Sequence, residues 1–336
     1  MSAPSIETLG PVKLLSIDGG GVRGLSALLL LEQLVENANE YRLQANLDAL
    51  EPWQMFNMIG GTSTGGLIAV MLGRLRMPIS ECINAYKALA EQAFTPRNFI
   101  GKIKGKVSLG AQYKTEPLEA AIKSIIGEGW ETKLLKEEDE QACKVFVVAH
   151  TQCISRPTAT LRSYRNCRKL TFEGSYDVMH IWEACRATSA AVTFIEPMVV
   201  DGTTYSDGGL RYNNPVRLVH EEAAGMFRGR QQFIISLGTG IANQGTLDPT
   251  LFTVADELAK LTMESERMAE DFRCQEDGKA AKEVRYFRFN VTYMGNIGME
   301  EAKSLTNIRD RTVAYLKGHQ VREEAERCVQ ELARGV

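Results

Sequence analysis

Histidine is scarce in this chain of 336 residues, with four in all, at positions 150, 180, 220 and 319. The seven cysteines are odd in number, scattered, and form no C-x-x-C pair. That argues against a disulfide framework and against a zinc cluster, and makes reduced thiols in a cytoplasmic compartment the expectation. There is no EF-hand loop and no metal-spaced Cys/His cluster. Long apolar runs are missing too: the longest, around Ala27 to Leu31, falls far short of the roughly 20 residues a membrane span needs. The N-terminus lacks the basic stretch and apolar core of a signal peptide. Any membrane contact is therefore expected to be peripheral. Charge of one sign is also lacking, since 39 basic residues face 42 acidic ones for a net charge of −3, which removes the electrostatic case for nucleic acid.

What is present is an ordinary apolar content of 44%, enough for a sizeable core. Val12 to Ile17 reads as a buried strand, and Leu25 to about Glu40 as a helix with Leu28, Leu31, Leu34 and Val35 at helical spacing. Met55 to Ile59 reads as a second strand, Leu67 to Arg76 and Ser80 to Phe94 as helices, and Lys144 to Ala149 as a β-branched strand covered on both faces. Thr158–Tyr164, Phe233–Leu237 and Val284–Val291 add strands, and Met179–Arg186 a helix. This alternation predicts an α/β sheet with helices on both faces, followed beyond about residue 251 by a mostly helical, charged segment.

Three glycine-flanked stretches carry the chemistry: Asp18-Gly19-Gly20-Gly21-Val22-Arg23-Gly24, Gly61-Thr62-Ser63-Thr64-Gly65 and Asp207-Gly208-Gly209. The second places Ser63 on a strand-to-helix turn, with Gly61 and Gly65 where side chains would meet neighbouring backbone. The first formally satisfies the dinucleotide fingerprint G-x-G-x-x-G, but the acidic residue ending a second strand some 20 residues on is missing. The same backbone suits anion capture instead, with consecutive amides facing one way beside a serine. Arg23 either supports this loop, meets a phosphate, or forms a surface salt bridge. For the proton acceptor there are two options. One is a triad in the order Ser…Asp…His using His220 or His319, neither in a loop shaped to deliver an imidazole. The other is Asp207, at the end of an extended stretch, with a proton affinity raised by desolvation. Finally, Thr95 to Thr115 holds five basic residues and no acidic one, interleaved with apolar side chains, which suits either a solvated loop or docking on anionic headgroups. Arg156 to Lys169 is similarly basic.

The order DGGGVRG, GTSTGG, SDGG resembles the patatin-like lipid acyl hydrolases, relatives of calcium-independent phospholipases A2. Ala187-Thr188-Ser189-Ala190-Ala191, Asn213-Asn214-Pro215 and Ser236-Leu237-Gly238-Thr239-Gly240 extend the resemblance, which covers about residues 12 to 240. It implies a three-layer α/β/α fold with a mostly parallel sheet, a Ser63–Asp207 dyad, an oxyanion hole of the Gly19, Gly20 and Gly21 amides supported by Arg23, no catalytic histidine, and neither a metal nor a cofactor. Val192 departs from the resemblance, where relatives often carry proline. Residues 10–250 are then expected to form the catalytic domain and 251–336 a helical segment packed on it. The implied substrate is a glycerophospholipid or other acyl lipid, cleaved by a cytoplasmic, peripherally membrane-associated phospholipase A. A triad esterase, or an effector or interaction module within a longer receptor-like protein carrying regulatory domains, is the alternative.

Overall fold

Val12–Ile17 (β1) is buried along its whole length, as a strand must be when parallel neighbours flank it and helices cover both faces. In a computed structural model of the chain, described over residues 10–93, 115–153, 157–166, 176–191, 195–241, 254–279, 283–292, 294 and 304–334, β1 lies near the middle of an eight-stranded sheet. After it come α1 (Gly24–Gln44), α2 (Pro52–Met55), β2 (Met58–Thr62) and α3 (Thr64–Ala69), which runs on through a π-helical turn at Val70–Arg74. Then follow α4 (Ile79–Ala93), α5 (Thr115–Ile126), β3 (Lys144–Thr151), β4 (Thr158–Arg162), α6 (Ile181–Thr188), β5 (Met198–Val200) and β6 (Thr203–Asp207). The chain continues with α7 (Gly209–Tyr212), α8 (Val216–Met226), β7 (Gln232–Leu237), α9 (Val254–Asp277), β8 (Val284–Phe289), α10 (Leu305–Leu316) and α11 (His319–Ala333).

The hydrogen-bonded order is β5-β6-β3-β2-β1-β7-β8, with β4 also on β3. From β3 through β8 the pairing is parallel, and β4, β5 and β6 add the antiparallel part. Side-chain alternation divides the core in two. Leu15, Ile17, Ile59, Val145 and Val147 face α1, α3, α4, α5 and α6, together with the end of α11. Val12, Leu14, Met58, Phe146 and Val148 face α8 and Phe272 of α9. The result is three layers with a mostly parallel sheet between them.

The second strand begins later than its apolar run suggests. Met55 closes the helical turn α2, because Pro52 fits a first helical position and Glu51 and Gln54 form a capping box, with the Glu51 amide donating to Gln54 Oε1 at 2.9 Å. The strand proper is Met58–Thr62 and includes Gly60 and Gly61. Helix α5 has no counterpart in the sequence reading. The basic stretch from Thr95 lies outside the described residues up to position 114, as does Val192. Within the second basic stretch, Arg162 is spent internally: its guanidinium forms a bidentate pair at 2.9 and 2.7 Å with the fully buried Glu222. No described helix is long and apolar enough to cross a membrane.

Candidate active site

The register of β3 brings the serine turn and Asp207 together. Thr62 at the end of β2 pairs with Val148, and the next β3 residue, Ala149, pairs with Asp207. Val148 and Ala149 both pair with β4 as well, at Thr160 and Ala159, so β2 and β6 must follow one another along the opposite edge of β3. Asp207 therefore continues the line that β2 leaves at Ser63. The Ser63 side chain lies near enough to the Asp207 carboxylate to favour its ionised form, and the Gly209 amide donates to Asp207 Oδ1 at 2.7 Å. Burial pushes the Asp207 carboxyl up to about 6, against the opposing pull of the Ser63 side chain and the Gly209 amide.

Ser63 has φ 54° and ψ −128°, a left-handed conformation that side chains rarely adopt. The surroundings enforce it. A Cβ at Gly61 would stand 2.1 Å from the Gly65 carbonyl oxygen, and one at Gly65 would stand 2.4 Å from the Ile17 carbonyl oxygen. Only glycine at both positions lets the turn fold this tightly against β1. The Ser63 amide donates to the Thr188 hydroxyl at 2.9 Å, and that hydroxyl donates onward to the Val148 carbonyl at 2.6 Å. Thr188 thus ties the end of α6 to both the turn and β3. Two residues on, the Ala190 carbonyl accepts the Asp207 amide at 2.8 Å. This segment holds nucleophile candidate and base candidate from one side, a role that its composition did not announce.

The three glycine amides of the first loop are not equivalent. Gly19 donates its N–H to the Asn213 carbonyl at 3.1 Å, so that amide is already committed, contrary to the expectation that all three face an oxyanion. Its carbonyl in turn accepts from Thr239 Oγ1 at 2.8 Å and Asn213 Nδ2 at 3.2 Å, which clamps the loop from two sides. The Gly20 amide makes a long contact of 3.2 Å to Thr64 Oγ1, and the Gly21 amide has no acceptor among the described residues. Gly21 adopts φ 55°, and its carbonyl accepts from the buried Tyr86 hydroxyl, whose proton affinity burial raises. Arg23 is 1% exposed, which replaces the surface salt-bridge reading with a buried position at the head of α1.

The residues beyond 251 hold this loop. Arg288 of β8 makes a bidentate pair with Asp18 at 3.0 and 2.7 Å and also reaches Ser236 Oγ at 2.9 Å and Glu266 at 2.6 Å. Arg288, Asp18 and Ser236 are buried while Glu266 is half-buried, and the two carboxylates hold the guanidinium firmly protonated. From α9, Ser265 accepts the Asn213 amide through Oγ at 2.8 Å and the Asn214 amide through its carbonyl at 3.2 Å.

The histidines lie elsewhere. His220 Nδ1 is 2.9 Å from Gln232 Oε1 with its ring edge-on to Phe272, and His319 stands on the exposed face of α11 beside Glu323. His180 caps α6 through Glu183. His150 pairs with Ser206, so alternation sends it to the face of the sheet away from Asp207. No cluster of three or more metal-ligating side chains occurs among the described residues.

The chain is similar to calcium-independent phospholipase A2-gamma of Rattus norvegicus, at 28% identity over 298 residues, covering 87% of this chain and 36% of the relative. The Homo sapiens protein of that name is 29% identical with the same coverage. The 85/88 kDa calcium-independent phospholipase A2 of Mus musculus is 28% identical over 360 residues, covering 94% of this chain and 40% of the relative. This chain thus spans less than half the length of these relatives. Residues 15–220, which include the second half of β1, the serine turn, Asp207 and the start of α8, match the family model described as patatin-like phospholipase. With well over half of the chain inside that match, it belongs to the patatin-like phospholipase family.

Proposed function

We propose that this chain is a lipid acyl hydrolase of the phospholipase A type, with Ser63 as nucleophile and Asp207 as base. The observation that carries the proposal is the β3 register that sets Asp207 beside the serine turn, where burial raises the carboxyl's proton affinity to about 6. A carboxylate so tuned is ionised near neutral pH and still basic enough to take the serine proton. Ser63 Oγ attacks the ester carbonyl carbon while its proton passes to Asp207, and the carbonyl π electrons move onto oxygen. The Gly20 and Gly21 amides are the groups we assign to that oxyanion, with Gly19 and Arg23 shaping the loop. Collapse of the tetrahedral species expels the lysolipid alkoxide, which takes the proton from Asp207. Water then attacks the acyl-serine with Asp207 again as base, releasing the fatty acid and restoring Ser63. Each developing charge has a protein partner, which supports extending the relatives' calcium independence to this chain.

The substrate resides in a lipid phase, which supports peripheral docking on a membrane surface. The six described cysteines are free thiols, in keeping with a cytoplasmic setting. A fluorophosphonate probe tests the nucleophile, with labelling expected at Ser63 and lost in Ser63→Ala. Hydrolysis of a phospholipid is expected to be lost in Asp207→Ala and kept in His220→Ala and His319→Ala. Activity that disappears with either histidine and survives in Asp207→Ala would replace the dyad with a triad.

A further inference from the structure

We propose that the side-chain oxygen of Asn213 holds the water that hydrolyses the acyl-serine, accepting one of its hydrogens while Asp207 takes the other. The inference rests on the dyad reading and adds a residue to which that reading gives no part in the chemistry. Asn213 follows the single turn of α7, four residues after Gly209, which puts the two on one side of the turn. Gly209 is the residue whose amide holds Asp207 Oδ1. A Cβ at Gly209 would stand 3.1 Å from Asp207 Oδ1 and 3.2 Å from Asn213 Oδ1. A Cβ at Gly19 would stand 2.5 Å from Asn213 Oδ1 and 3.1 Å from Ser63 Cβ. The Asn213 oxygen is thus a close neighbour of both members of the dyad, and the two glycines keep side chains out of the space they share. Asn213 and Ser63 are both half-buried, so this space is reached from solvent.

The other end of the amide fixes which atom faces that space. Asn213 Nδ2 donates to the Gly19 carbonyl at 3.2 Å and to Ser265 Oγ at 2.8 Å. A carbonyl only accepts, and the single hydroxyl hydrogen of Ser265 goes to the Leu261 carbonyl at 2.9 Å. Both neighbours therefore require an N–H, and a flipped amide would set oxygen against oxygen. The main chain is tied down as well, since the Tyr212 carbonyl accepts the Thr62 hydroxyl at 2.6 Å and the Asn213 carbonyl accepts the Gly19 amide. No described residue donates to Asn213 Oδ1. An acceptor here serves water and not the first half of the reaction. Ser63 and the departing lysolipid alcohol each carry one hydroxyl hydrogen, and Asp207 handles it. Water carries two. As its oxygen bonds to the acyl carbon and the carbonyl π electrons move onto the oxyanion, one proton passes to Asp207. The second stays on the O–H held by Asn213. Collapse breaks the bond to Ser63 Oγ, which takes the proton from Asp207, and the fatty acid leaves with the retained hydrogen. A neutral amide oxygen does not take the proton itself, so its part is to aim the water.

The test sets water against methanol as acceptors of the acyl group. Methanol has one hydroxyl hydrogen, so it needs Asp207 and not Asn213. With a phospholipid as acyl donor in aqueous methanol, Asn213→Ala should raise the ratio of methyl ester to free fatty acid by about tenfold. Both products come from the same acylated molecules, so partial misfolding cancels from that ratio. In water alone the variant should accumulate acyl-serine, read as an added acyl mass on the intact protein. Thr239→Val removes the other side-chain donor to the Gly19 carbonyl and serves as the control for a loosened loop. It should slow both branches alike and leave the ratio at the wild-type value. A wild-type ratio in Asn213→Ala, or an equal rise in Thr239→Val, overturns the proposal. Should Asn213→Ala not fold, Ser265→Ala decides, because it frees the amide to rotate and should raise the ratio in the same direction; no rise refutes the assignment. Labelling by a fluorophosphonate separates the two levels. If Ser63 is not labelled, the dyad reading falls and takes the water site with it, whereas labelling with an unchanged ratio sinks the role of Asn213 alone.

Discussion

Replacing Asp207 by asparagine separates what the carboxylate does for chemistry from what it costs the fold. The folded protein holds this carboxyl at about 6 against an ordinary value of 3.8, chiefly because burial penalises the charge. The folded state therefore binds more protons than the unfolded chain between these values, and stability falls as pH rises through that window. Above about 7 both states are ionised, and the penalty on the fold reaches about 3 kcal/mol; at pH 5 it is only about half of that. Asparagine keeps an oxygen for the Gly209 amide and has no charge to desolvate. The variant should thus gain about 1 kcal/mol relative to wild type between pH 5 and pH 8. Urea titrations of both proteins at the two pH values measure this double difference, in which every other titrating group cancels. Meanwhile kcat should fall by about 10² to 10⁴, the usual contribution of a positioned base. Wild-type kcat/KM should also rise as pH passes about 6, with the limb absent from the variant's residual rate. A stability difference that stays flat with pH would refute the claim that Asp207 is a desolvated carboxylate. A flat wild-type rate profile would remove it as the base.

Thr188→Val leaves the Ser63 amide and the Val148 carbonyl without their shared partner, at a cost of about 1–3 kcal/mol in a urea melt. It should also lower kcat by about tenfold with KM unchanged, because the misplaced group is the proposed nucleophile. Thr188→Ser, which keeps the hydroxyl, should restore most of the rate, and no rescue would reduce Thr188 to a packing residue. Arg288→Met strands the buried Asp18 carboxylate and should destabilise by about 3–5 kcal/mol, read as a lowered denaturation midpoint. Arg288→Lys keeps the charge but loses the fork, and should fall between wild type and the methionine variant; equal stability of all three would show that the pair does not hold the loop.

How much of this was legible in the sequence depends on how far apart the interacting residues lie. The serine turn could be read because Gly61, Ser63 and Gly65 impose their geometry within five residues, and β1 because its apolar run has one buried solution. Met55 was misassigned to a strand because apolar content alone does not distinguish a capped helical turn from an extended run; the Glu51–Gln54 pair was the available signal. Helix α5 was visible in principle, since Leu118, Ala121, Ile122 and Ile126 recur at helical spacing, but the basic stretch before it drew the reading toward charge. The elimination of histidine pointed toward Asp207, and the placement of all four rings away from the serine turn agrees with that logic.

The glycine loop shows what one-dimensional reading leaves undivided. Gly19, Gly20 and Gly21 are chemically identical, and no local rule separates their amides. Their difference comes from partners roughly 200 positions away: the Asn213 carbonyl, which takes the Gly19 N–H, and Thr239 with Asn213, which pin the Gly19 carbonyl. Arg288 acts on the same loop from 270 residues away through Asp18. Residues beyond 251 carry no recognisable motif because those that reach the loop stand singly along the chain, not as a contiguous constellation. A single arginine on β8 and a single serine on α9 suffice once the parallel pairing of β7 with β8 delivers the first and the packing of α9 the second. The loop's function therefore depends on the whole sheet being formed. Disrupting β8 at Arg288 should loosen an amide pair that lies in a distant part of the sequence.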